Sequence, residues 1–170
     1  MPMTKKPATT KPATTKPAVT ATTAAQPAFS PSPSKELRGI WLSCYDFPSA
    51  QNKTQVQFAA ACDTIFKNIS SLGLNAAFVH VRAFSDSFYP STIFPWSQYV
   101  SGEQGKSPGY DTLAIMISCA KKYNIAFHAW INPFRVSFST DYTKLCSSNP
   151  ARKIIESGNK TGDVCILPNG

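Results

Sequence analysis

Three short stretches of this 170-residue chain gather side chains able to grip a polyol. Asp46 follows RGIWLSCY, Arg82, Asp86 and Tyr89 follow or close NAAFVHVR, and His128, Trp130, Asn132 and Arg135 fall within IAFHAWINPFRV. Carboxylate, amide and guanidinium groups hydrogen-bond adjacent hydroxyls, and aromatic faces cover the C–H surface of a sugar ring. Trp96, Tyr99 and Tyr110 offer further stacking platforms. Each residue also has a plainer reading. Asp46 serves equally as an acceptor for loop N–H groups, Arg82 and Asp86 as a structural ion pair, His80 and His128 as hydrogen-bonded interior histidines, Trp41 as core and Trp96 as a loop anchor. No His/Glu ligand spacing or C-x-x-C pair occurs, so neither a metal nor a cofactor is expected.

The elements that must position these groups follow from periodicity. Residues 38–45 form a short apolar run suited to a buried strand, and residues 54–72 switch to helical spacing. Thr54 with Gln57 predicts a capping box, and Gly73 the stop. Residues 75–82 predict a second strand, 111–123 a second helix with Asp111 as N-cap, and 125–131 a third strand. Alternating strands and helices imply parallel βα units, and the aromatic insertion 83–110 is long enough to be functional. Residues two apart on a strand share a face, so Phe78, His80 and Arg82 point one way, as do His128, Trp130 and Asn132. Polar groups on that face suit the carboxyl-end mouth of a barrel. A closed (β/α)8 barrel takes about 250 residues; three visible units predict the N-terminal part of one, truncated after three to four units. A small, complete doubly wound sheet is the competing architecture.

Composition bounds the partners. Residues 1–34 repeat KPATT and continue rich in Thr, Pro and Ala, a makeup that buries too little apolar area to fold and predicts a disordered linker, with a folded domain over 35–170. Four of the 17 Lys and Arg residues lie in that tail without an acid, so it carries half of the +8 net charge. The rest are scattered among acids, which argues against a nucleic-acid surface. No apolar run reaches the ~18 residues of a membrane span. Cys44, Cys62 and Cys119 read as small buried hydrophobes, while Cys146 and Cys165 lie in a loop-rich stretch and are the pair an oxidising compartment could join.

The strings RGIWLSCYDF (38–47), FVHVRAFSDSFYPS (78–91), FPWSQYVSGEQGKSPGYDTL (94–113) and FHAWINPFRV (127–136) together resemble the bacterial glycosyl hydrolase-like family 10. The resemblance implies a TIM-barrel glycosidase-like domain, exported to the cell envelope and acting on peptidoglycan strands. The family's V-R-P-x-G-D-x-x-Y-P motif is carried by Arg82, Asp86, Tyr89 and Pro90, with Ala83 and Ser85 in place of the usual proline and glycine. Its H-A-W-x-N-P-[YF]-R motif is carried by His128, Trp130, Asn132, Pro133 and Arg135, and its acidic fourth-strand motif is missing. The implied assignment makes Asp86 the acid, with Asp46, Arg82, Tyr89, His128, Trp130, Asn132 and Arg135 binding substrate and a second carboxyl group supplied beyond Gly170. A non-catalytic carbohydrate-binding or structural module on a Pro/Thr stalk would keep the same aromatic and Arg groups without paired acids.

Overall fold

The computed structural model describes residues 36–160 and 162–165, so the predicted linker over 1–34 lies outside the described residues. Three parallel strands, β1 (Gly39–Leu42), β2 (Ala76–Arg82) and β3 (Ala126–Ile131), form one sheet in the order β1-β2-β3. Helix α1 (Gln55–Ser71) connects the first two strands. The second connection holds a four-residue helix, α2 (Gln98–Ser101), and then α3 (Thr112–Lys122). Among the described residues the sheet is open: an α/β fold built from βα units, without the closure of a complete barrel.

The predicted signals act as expected at the helix ends. Thr54 Oγ1 accepts from Gln57 N while the Gln57 side chain accepts from Thr54 N, and Asp111 Oδ1 accepts from Ala114 N at 3.0 Å. Gly73 has φ +73°, the left-handed conformation that glycine adopts at least cost at a helix end. Phe58, Cys62, Phe66 and Ile69 of α1 and Met116, Cys119 and Ala120 of α3 pack with Ala77, Val79 and Val81 of β2 to make the core. That core occupies one face of the sheet.

The opposite face carries an aromatic layer. Register pairs Trp41 with Phe78 and Phe78 with His128, and the three rings stack in a row with centroids 4.7 Å apart at each step. His80 pairs with Trp130 and stacks on it at 3.5 Å, with 9° between the planes. Gly39 leaves room for this layer, because a Cβ there would stand 2.7 Å from the Phe78 ring. Two expectations are corrected. Trp41 is 61% exposed rather than core, and His128 is exposed rather than interior, because the described helices cover only the other face.

The stretch around Cys146 is also more ordered than its composition suggests. It contains a 3-10 turn (Tyr142–Lys144) and α4 (Pro150–Glu156), capped by Asn149 with Pro150 at the first helical position. Leu145, Ala151 and Val164 form a small second core. Cys146 and Cys165 are free thiols, as are the other three cysteines.

Candidate active site

The carboxyl end of β2 is irregular. His80 pairs with Trp130 but Arg82 with Ile131, so β2 carries one extra residue at this point. Such bulges re-aim side chains and are frequent beside active sites. Here the offset brings Arg82 alongside Asn132: Asn132 N donates to Arg82 O at 2.9 Å, and Arg82 Nη2 donates to Asn132 O at 3.4 Å. The Arg82 guanidinium lies 4.5 Å from the Phe94 ring centre. Arg82 and Asp86 form no ion pair, since four-residue spacing brings side chains together on a helix and not at a strand end.

Asn132 is the junction of the next layer. Its Oδ1 accepts from Trp130 Nε1 at 3.0 Å, and its Nδ2 donates to Ala83 O at 3.1 Å and faces His80 Nε2 at 3.0 Å. An indole N–H only donates and a carbonyl only accepts, so the amide orientation is fixed from both sides. His80 Nε2 must therefore be the acceptor, which puts the ring proton on Nδ1. Burial, reinforced by the Arg135 charge, holds His80 below its ordinary value. An amide presenting its oxygen would favour the imidazolium, but that oxygen is committed to Trp130.

Asp86 is 1% exposed and lines a cavity of about 130 Å3 walled by Phe84, Tyr99, Val136 and Phe138. Gln104 Nε2 donates to Asp86 Oδ2 at 3.4 Å, and Gln104 Oε1 accepts from Cys146 N and Asn149 Nδ2. Asn149 Nδ2 also donates to Ser85 O at 2.8 Å, closing a buried network that pins the insertion to the start of α4. Burial pushes the Asp86 carboxyl up, against the smaller opposing pulls of Ser97, Gln104 and the Phe84 backbone. Ser97 is close enough to act in this way, but its Oγ accepts from Tyr99 N and makes no hydrogen bond of ordinary geometry to the carboxyl group, and Asp86 Oδ1 is left without a partner. Gln104 and Asn149 were not legible as site residues, because their roles depend on contacts 18 and 64 residues away in sequence.

The remaining predicted residues divide. Arg135 is exposed, with its guanidinium carbon 4.1 Å from the Phe138 ring centre and 5.3 Å from that of Phe84, two rings that pack on each other. Tyr45 and Tyr99 stand edge to face at 5.1 Å, their hydroxyls 3.4 Å apart, which pushes the Tyr45 phenol up to about 12. Asp46 is exposed, and its Oδ2 accepts from Ser43 N at 2.6 Å and Ser43 Oγ at 2.7 Å, its plainer reading. The Tyr89 ring packs against the core. Burial pushes the Cys44 thiol beside this mouth up to about 11, so it is no thiolate nucleophile at neutral pH. Among the described residues no group of three or more His, Cys, Asp or Glu is placed to hold a metal ion, and no helix is long and apolar enough to cross a membrane.

This constellation of strand-end Arg, Asp, Asn and aromatic residues lies within residues 36–165, which match the sequence model of glycosyl hydrolase-like 10. The chain belongs to that family. Among curated relatives it is similar to the glycosyl hydrolase YngK of Bacillus subtilis (strain 168), 40% identical over 123 residues that make up 70% of this chain and 24% of that protein. It is also similar to the glycosyl hydrolase DigH of Escherichia coli (strain K12), 35% identical over 164 residues covering 85% of this chain and 37% of that protein. This member of glycosyl hydrolase-like 10 thus spans 24% to 37% of the length of these relatives.

Proposed function

We propose that the chain builds the substrate floor of a glycoside hydrolase that cleaves O-glycosidic bonds in bacterial cell-wall glycan, working at the cell envelope. One observation supports this reading of the site. Among the described residues, the buried side-chain polar atoms without a hydrogen-bond partner are His80 Nδ1, Arg82 Nε and Asp86 Oδ1, and all three belong to β2 and the loop that leaves it. Leaving such a group unpaired costs about 1–3 kcal/mol, and proteins tolerate that cost where function requires it.

In this reading Asp86 is the general acid. A carboxyl group whose proton affinity is raised by burial is suited to deliver its proton to the departing glycosidic oxygen, provided a second carboxyl group attacks the sugar or activates water. The sequence resemblance assigns that second carboxyl group to the family's acidic fourth-strand motif. Arg82, Asn132 and Arg135 hydrogen-bond the sugar, and Trp130 and His128 present ring faces to it, with Asp46 and Tyr89 at the margin. Family membership and the named hydrolases support the reaction class; the wall glycan and the envelope location rest on the sequence resemblance. The test is release of reducing ends from peptide-free wall glycan by full-length protein. Asp86→Asn is expected to abolish release without unfolding the protein, and undiminished release in both Asp86→Asn and Arg135→Ala would overturn the assignment.

A further inference from the structure

The amides behind Asp86 are oriented one after another by groups that can play a single role. Ala151 N, which only donates, bonds to Asn149 Oδ1 at 2.9 Å, so Asn149 Nδ2 is the donor to Ser85 O at 2.8 Å and to Gln104 Oε1 at 3.2 Å. Cys146 N donates to the same Gln104 oxygen at 2.9 Å. With that oxygen taken up by two donors, the Gln104 amide turns its N–H side to Asp86, and Nε2 stands 3.4 Å from Oδ2. Asp86 Oδ1 is buried with no partner. Around the carboxyl group lie Tyr99 of α2, Lys144 of the 3-10 turn, the Cys44 thiol after β1 and, beside the Phe84 ring, Arg135 of the loop after β3. None of these four hydrogen-bonds or ion-pairs with it, and the Cys146 thiol turns to Ser148 Oγ at 3.2 Å.

A carboxylic acid accepts a hydrogen bond best through its carbonyl oxygen and carries its proton on the other. An N–H at Oδ2 therefore places the proton of Asp86 on Oδ1, the oxygen that the described residues leave without a partner. Resting on the reading of Asp86 as general acid, we propose that Gln104 is a positioning residue for that acid, holding Oδ2 so that the proton is delivered from Oδ1. In the transfer the Oδ1–H bond breaks and the proton passes to the glycosidic oxygen as the C–O electron pair moves onto that oxygen. The carboxylate left behind keeps the Gln104 bond, now charge-assisted and stronger.

The test takes two readings on full-length protein. Carbon-13 NMR of the aspartate carboxyl groups follows the titration of Asp86, whose signal is identified by its loss in Asp86→Asn. The basic limb of kcat/KM on peptide-free wall glycan follows the acid's loss of its proton. Gln104→Glu keeps one oxygen for Cys146 N and Asn149 Nδ2 and sets the other against Asp86, so both midpoints are expected to rise by about one pH unit or more, the two carboxyl groups titrating as a pair. A merely structural tie survives in this variant, and midpoints that both stay in place overturn the inference while leaving Asp86 as the acid. A carboxyl titration that rises while the kcat/KM limb stays in place overturns the reading of Asp86 as acid, and the inference with it. Should Gln104→Glu not fold, the unaltered protein decides: the Gln104 side-chain N–H resonances are expected to shift with the same midpoint as the Asp86 carboxyl, and resonances flat across that midpoint overturn the inference.

Discussion

Replacing Asn132 with Asp changes one atom of a junction whose geometry predicts the consequence. One carboxylate oxygen keeps the bond from Trp130 Nε1, while the other replaces the Nδ2 that now faces His80 Nε2 at 3.0 Å and Ala83 O at 3.1 Å. The acceptor nitrogen of His80 then meets an anion in place of a donor. A unit charge pair at that separation is worth about 1.4 kcal/mol in water and about 5.5 kcal/mol at an effective dielectric constant of ~20, so proton affinity rises tenfold or more. The variant also sets a carboxylate oxygen against Ala83 O, a loss of about 1–3 kcal/mol in stability. Ring-nitrogen NMR through a pH titration reads the outcome. The unaltered protein should show a neutral His80 with its proton on Nδ1, protonating only below the ordinary histidine range, and Asn132→Asp should shift protonation toward neutral pH. A proton found on Nε2 in the unaltered protein, or an unchanged titration in the variant, would refute the reasoning.

Further expectations follow from the same contacts. Asp86, raised by burial, contributes stability that is present below its unfolded value of 3.8 and lost as pH climbs through the folded one; Asp86→Asn should therefore raise the melting temperature at neutral pH while removing hydrolysis. His80, lowered by burial, acts in the opposite sense: its contribution is present above the unfolded value of 6.5 and lost as pH falls through the folded one, so His80→Gln should flatten that acid-side loss in a pH series of melts. Gly39→Ala drives a methyl to 2.7 Å from a Phe78 ring held between Trp41 and His128, and should cost about 1–3 kcal/mol in urea unfolding. Asn149→Ala removes a helix cap and the tie to Ser85 O, so it should cost about 2–3 kcal/mol and speed amide exchange in residues 83–110.

The three strands, the two long helices and their caps were legible because each depends on local period or on a side chain three residues away. Burial on the two sheet faces was not. RGIWLSCY reads as a uniform apolar run, yet Leu42 and Cys44 face the helices while Trp41 faces away from them. Alternation did identify which polar residues share the aromatic face, but the extra residue of β2 between His80 and Arg82 leaves no sequence mark, and it decides that Arg82 meets Asn132. The Asp86–Gln104–Asn149 network joins three loops and has no period to reveal it. α4 was missed: its polar stretch reads as loop, although Asn149-Pro150 at its start and Gly158, φ +92°, beyond its end are helix start and stop signals.

The most direct test is a crystal structure of the full-length protein with a peptide-free wall-glycan oligosaccharide. The account predicts sugar oxygens within hydrogen-bonding distance of Arg82, Asn132 and Arg135, with a glycosidic oxygen next to Asp86. An oligosaccharide seated elsewhere, with these four side chains untouched, would contradict it.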